Sequence, residues 1–327
     1  MNNLKLTDFQ EVLGTQDDLI FSMAEDLDYA CEYDALGSLY CRKGAPPQPG
    51  QGLMIAAAMD VKRFMAAHVE GVKVWFNVIG ELQAKNIVDQ PVRFENGVGG
   101  VIRSKEHPDG MDEDKKKDCK MDDLYILLDG DEFSVAAGDE AVLEGSEVYA
   151  DDLAACMAVI QAMEDLSEEE AADPVTFVFL NQYWSGRMGI RAAVANVKPH
   201  TCIFCGTSEA LEAGEERKAD DAPVDLVLGA GPVVRFHEKL HANDAATCRA
   251  LIRAAEEAGV KWQGDARNTE FAGGIEIMVT GSRAGDCFLG VPVKGRGTVG
   301  SKFDQADVND CSKVLAQFVR QFAEDKL

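Results

Sequence analysis

Three short patterns in this 327-residue sequence combine residue types that can do chemistry. His237 to His241 reads HEKLH, a match to the zinc pattern H-E-x-x-H, in which two imidazoles hold the metal and the glutamate serves as base. That chemistry needs a helix, where residues four apart share a face with Cβ atoms about 6 Å apart. Pro232 to Phe236 instead reads as a strand, and Asn243-Asp244 signals a helix start only after the second histidine. In an extended segment residues four apart lie about 13 Å from one another, too far to share an ion. Both histidines are expected in an exposed loop. Gly295 to Gly300 reads GRGTVG, a match to the dinucleotide-binding G-x-G-x-x-G, but only 27 residues follow it and they read as one helix. A βαβ unit does not fit there, so a glycine-rich turn is expected. Cys202 and Cys205 form a C-x-x-C inside an apolar run. A redox pair would open a helix, where the dipole lowers the thiol pKa, so buried core cysteines are expected instead.

The elements that must position any site follow from periodicity. Leu53 to Met59, Val175 to Leu180 and Thr201 to Cys205 are short apolar runs, as interior strands of a sheet covered on both faces. Leu153 to Leu166 and Asp244 to Ala258 read as helices, the second capped by Asn243-Asp244 and stopped at Gly259. The last segment places Val308, Cys311, Leu315, Phe318 and Phe322 on one helical face. From 63 to 145 the pattern changes. Val72, Val74, Phe76 and Val78 alternate, glycines crowd at Gly97, Gly99 and Gly100, and Leu124 to Leu128 reads as another strand. His107 to Lys120 reads as a charged loop. The spacing predicts an α/β domain from 1–62 and 146–327, with a small all-β domain inserted at 63–145.

The formal net charge is -25, with 57 acidic and 32 basic residues, so nucleic acid and anionic membranes are poor partners. No apolar stretch approaches the roughly 20 residues that span a bilayer, and MNNLKLTDFQ lacks the pattern of a leader. A cytoplasmic location is expected. Nine cysteines without framework spacing read as reduced, mostly buried side chains.

Ordered matches along the chain resemble the glutamyl or deblocking aminopeptidase family, the tetrahedral-assembly peptidases with two metals. Tyr33 to Leu39 is similar to the family's D-x-L-G-N-L entry strand, and Ile55 to Asp60 (IAAAMD) to L-A-A-H-M-D. Gly100 to Lys105 is similar to G-V-I-G-S-K, Met121 to Leu128 to L-E-D-L-F-I-D-I, and Ala150-Asp151-Asp152 to A-L-D-D-R. Phe177 to Gly189 is similar to F-V-F-T-V-Q-E-E-V-G-L-R-G. Ala222-Pro223-Val224 and Leu228 to Pro232 are similar to A-P-V-R-L-G-K-G-P. The resemblance implies a three-layer α/β/α aminopeptidase-like domain, an inserted small β-barrel that forms dimers, and larger homo-oligomers.

It also implies a site. The family holds two divalent metals such as zinc or cobalt with two histidines, a bridging aspartate, a glutamate and a further aspartate, and a second glutamate is the general base. Carried over residue by residue, the first histidine falls on Ala58, and Asp60, which would orient it, is kept. The bridging aspartate is kept as Asp151. The base and the glutamate ligand fall on Tyr183 and Trp184, the further aspartate on Cys205, and the last histidine on or next to Gly300. One carboxylate cannot neutralise two dications, so neither a catalytic nor a metal set is intact and no cofactor is expected. Asp151, Tyr183, Trp184 and Cys205 are expected to line the remaining pocket. Three readings follow: a non-catalytic homologue that binds a peptide or amino acid or assembles with other chains; an active metallo-aminopeptidase with a site rebuilt from Asp60, Asp151, Cys205, Glu270 or the HEKLH histidines; and a purely structural assembly protein.

Overall fold

The computed structural model describes residues 16–130, 135–144, 150–169, 174–215, 225–267, 273–298 and 300–324, without the side chains of 16, 113 and 150–152. Two compact units emerge: 1–60, 150–294 and 302–327 form the first, and 61–149 with 295–301 the second.

The first unit begins with helix α1 (Gln16–Asp26) and strands β1 (Ala30–Tyr33), β2 (Leu39–Arg42) and β3 (Leu53–Ala58). The second unit then contributes β4 (Arg63–Glu70), β5 (Lys73–Ile79), α2 (Ala84–Ile87), β6 (Pro91–Phe94), β7 (Gly99–Ser104), α3 (Glu113–Lys116), β8 (Leu124–Leu128) and β9 (Glu140–Leu143). The chain returns to the first unit through α4 (Ala150–Asp165), β10 (Val175–Leu180), α5 (Met188–Val197), β11 (Thr201–Glu209) and β12 (Val233–Arg235). There follow β13 (His237–Glu238), β14 (His241–Ala242), α6 (Ala245–Glu257), β15 (Gln263–Asp265), α7 (Gly274–Val279), β16 (Gly285–Lys294), β17 (Lys302–Phe303) and α8 (Gln305–Ala323).

One sheet runs β1-β2-β10-β3-β11-β16-β12-β15, with β17 on β16. Its centre, β10-β3-β11-β16, is parallel. Every residue of Val175–Leu180 and all but the last of Leu53–Ala58 are buried, as expected of strands covered on both faces. Helices α4, α6 and α8 pack together on one face, and α5 and α7 pack together on the other. Two of these helices start on aspartate caps: Asp244 accepts the Thr247 N–H and Asp304 the Ala306 N–H. The last helix buries Val308, Cys311, Leu315 and Phe318, while Phe322 stays half-buried beside His200.

The second unit closes a barrel in the order β4-β5-β8-β7-β6-β9 around Phe64, Val74, Val92, Phe94, Ile102 and Ile126. Gly100 lets two strands approach, since a Cβ there would come within 2.8 Å of Ile126. Three local expectations change. The segment Tyr33 to Leu39 is the turn of a hairpin rather than one strand, because Asp34 accepts the N–H groups of Leu36 and Ser38 and so bends the chain. The 107–120 segment contains the helical turn α3. Gly295–Ser301 belongs with the barrel unit rather than the α/β unit.

Candidate functional site

In open α/β sheets ligands gather at the carboxyl ends of the strands. Of the carried-over positions, Ala58 and Cys205 fall by register at this edge of the first unit. Ala58 pairs with Leu180 at the ends of β3 and β10, and Ala57 pairs with Cys205 on β11.

After Leu180 the chain makes a tight turn into α5, with Gln182 (φ 54°) and Arg187 (φ 57°) both left-handed. A Cβ on Gly189 would come within 2.0 Å of the Asn181 carbonyl, so only glycine fits there. Asp60, 7% exposed, fixes the turn: one carboxylate oxygen accepts the Tyr183 N–H and the other the Trp184 N–H, each at 3.2 Å. The Tyr183 ring stacks on Phe204 (centroids 5.1 Å, 17°) and meets Trp184 edge-on at 5.0 Å. The Arg187 guanidinium lies over the Tyr183 ring at 5.5 Å. Tyr183 belongs to a buried cluster with Phe204, Ile190, Ile277 and Phe288, and Ala58 and Trp184 pack against it. The Ala58 carbonyl accepts from the Cys156 thiol at 3.0 Å. Phe204, Arg187 and Cys156 carry no motif; only alternation along β11 hinted that Phe204 and Cys205 face opposite ways.

Cys205 faces the other side of the sheet. It is fully buried, its thiol 3.8 Å from that of Cys311 on α8. Contact with Cys205 and burial both push the Cys311 thiol up, so it stays protonated. Cys202 is also fully buried. Asp151 opens α4, and its side chain falls outside the described set. Gly300 is exposed and lies in the segment that joins the barrel unit. Glu270 and Ala222-Pro223-Val224 lie outside the described residues.

The HEKLH segment is a hairpin rather than an exposed loop. His237 pairs with Ala242 and Glu238 with His241, so Glu238 and His241 share one face and His237 takes the other. The histidines are kept from a shared ion by facing apart, not by the length of an extended segment. Glu238 is 2% exposed and accepts the N–H groups of Gly273 and Gly274. His241 is nearly buried, its Nε2 2.8 Å from the Asp286 carboxylate. Burial pushes the Asp286 carboxyl up; His241 pulls it down, while Glu238 and Asp244 add to the rise. Residues 295–298 of the GRGTVG segment follow β16 as a turn, with Gly295 and Gly297 at positive φ. Among the described residues, no group of three or more His, Cys, Asp or Glu side chains comes together to hold a metal ion. Among the same residues, no helix is long and apolar enough to cross a membrane.

A sheet edge of this topology joined to a six-stranded barrel defines the aminopeptidase-like class. Residues 37–314 match the family model of the M42 glutamyl aminopeptidases, and the chain belongs to that family. An aminopeptidase-named relative from Acetivibrio thermocellus is 22% identical over 339 residues, covering 96% of each chain. The fold is similar to that of a TET aminopeptidase from a marine sediment thaumarchaeon (TM-score 0.81, 16% identity, 95% of this chain and 93% of that one). It is also similar to that of the TET1 peptidase of Pyrococcus horikoshii, which can assemble into a tetrahedron or a large octahedral shell (TM-score 0.76, 20% identity, 92% of each chain).

Proposed function

We propose that this chain is a non-catalytic member of the M42 family, with a role in binding a peptide or amino acid and in assembly with copies of itself. The observation that carries the reading is the packing at the strand ends. The positions of a histidine, a base and a glutamate ligand hold Ala58, Tyr183 and Trp184, all packed with one apolar cluster. This donor set does not fit two divalent ions, because a methyl group, a stacked phenol and an indole supply no anionic oxygen or imidazole nitrogen. Asp60 is committed to two backbone amides, and Arg187 adds a positive charge beside Tyr183, which raises the cost of placing dications there. Cys205 faces a different layer, so it adds no thiolate on the Ala58 side. An amino-acid or peptide ligand with an apolar side chain suits the half-buried Trp184, which offers an apolar face.

The test is turnover. The full chain is incubated with a panel of short peptides, including ones with acidic N-terminal residues, with zinc, cobalt or manganese added in turn. No release of N-terminal residues above a metal-only control is expected. Chelator-sensitive release would overturn the reading in favour of a rebuilt metallopeptidase site. Light scattering across a concentration series checks the assembly half: a stable oligomer is expected, and a monomer at all concentrations would contradict it.

A further inference from the structure

A separate pocket opens at the opposite edge of the same sheet, where the parallel strands begin. It has a volume of about 520 Å³ and is built from the segments that precede β3, β11 and β16. Volumes of about 300–1,000 Å³ are usual for small-molecule sites. Its charged lining residues are Lys198 and Arg283, with His200 beside them. Among the described residues neither Lys198 nor Arg283 makes an ion pair. In a chain with 25 excess negative charges, two neighbouring cations without a carboxylate form a local reversal of sign. Such a reversal attracts anions that the rest of the surface repels.

The backbone that carries each exposed cation is tied down. Lys198 caps α5 in the left-handed conformation (φ 49°), its N–H bonded to the Val194 carbonyl and its own carbonyl accepting the Gly50 N–H at 2.7 Å. Glycine is the usual residue at such a position, and a lysine there costs about 1 kcal/mol of backbone strain. That conformation sets Lys198 among the lining residues with its side chain exposed. The loop that carries Arg283 is tied by its own hydroxyls: Thr280 donates to the Ile277 carbonyl and accepts the Ser282 N–H, and the Ser282 oxygen accepts the Ala284 N–H. That leaves the Ser282 hydroxyl hydrogen available to a ligand. His200 has Nδ1 bonded to Thr201 at 2.9 Å, which leaves Nε2 for the pocket. Val194 and Ala284 give the wall an apolar share.

We infer that this pocket binds a small organic anion, a phosphoryl or carboxylate group on a partly apolar body, through Lys198 and Arg283. The guanidinium suits the two oxygens of either group and the ammonium acts as a point charge. The inference does not depend on the reading of the strand-end site.

Isothermal titration of the full chain with inorganic phosphate, phenyl phosphate and succinate, at an ionic strength fixed with sodium chloride, tests it. Saturable binding of at least one probe is expected, with phenyl phosphate tighter than inorganic phosphate. Succinate against phosphate separates carboxylate from phosphoryl preference. The variants are Lys198→Gly, Arg283→Gln and Lys198→Arg. Glycine relieves the positive φ, so Lys198→Gly should fold at least as well as the wild type. Each charge-removing variant should weaken binding at least tenfold, and Lys198→Arg should retain it. Absence of saturable binding by the wild type, or binding unchanged in Lys198→Gly and Arg283→Gln, would overturn the assignment.

Discussion

Two buried carboxylates in the α/β unit hold the backbone in the same way. Asp60 accepts the N–H groups of Tyr183 and Trp184 at the ends of β3 and β10, and Glu238 accepts those of Gly273 and Gly274 beneath the hairpin β13–β14. Their surroundings differ. Around Asp60 stand aromatic rings and a methyl group, at positions where the family resemblance implies metal ligands. Around Glu238 stand His241 and Asp286, residue types with metal affinity, engaged with each other. On the proposed reading the strand-end region has too few donors for two metals, whereas Glu238, His241 and Asp286 serve as ties between a hairpin, a helix start and a strand. Residue type alone therefore misassigns the hairpin region, and the partner of each polar atom is what separates a structural carboxylate from a ligand.

The largest effect is expected at the aromatic layer. Tyr183→Ala removes a ring that is 5% exposed and stacked on Phe204, and should cost about 3–5 kcal/mol in urea unfolding. A loss below about 1 kcal/mol would show that Tyr183 lines an open pocket instead of filling a core. Next come the two carboxylates. Asp60→Ala and Glu238→Ala each strand two backbone donors and should cost about 2–3 kcal/mol, with no change in bound metal for either. Metal content that fell in Asp60→Ala alone would break the comparison.

A smaller effect concerns pH. The Asp286 carboxyl is pushed above its ordinary value by burial, against the pull of His241. Its stabilising contribution is full below an unfolded pKa of about 3.9 and is lost as pH rises through the folded value. Unfolding of the wild type and Asp286→Asn between pH 4 and 6 should therefore show the wild type losing ground as pH rises. A constant difference would contradict the shift. The smallest effect is expected at His237, which faces away from Glu238 and His241. His237→Ala should stay within about 0.5 kcal/mol of the wild type, and a larger change would reveal a role for the HEKLH pattern beyond its hairpin.

The sheet was largely legible in the residues. Buried parallel strands such as Val175–Leu180 are continuous apolar runs, and the Asn243-Asp244 signal marks a helix whose Asp244 is the observed cap. The hairpin at 237–242 was not legible, because Lys239-Leu240 carries no turn signal and tertiary partners hold it in place: Glu238 on two glycine amides, His241 on Asp286. The short helix Gly274–Val279 begins with a glycine and had no start signal. At the candidate site the resemblance located Ala58, Asp60, Tyr183 and Trp184 near one strand edge, but the direction of Cys205 depends on β11 register and on Cys311, 106 positions away.

The metal content of the purified full chain, measured by inductively coupled plasma mass spectrometry after expression with zinc, cobalt and manganese supplied, tests the central claim most directly. Substoichiometric metal is expected, unchanged in Asp60→Ala. Two tightly held ions per chain would contradict the assignment of Ala58, Tyr183 and Trp184 to an apolar cluster without a metal site.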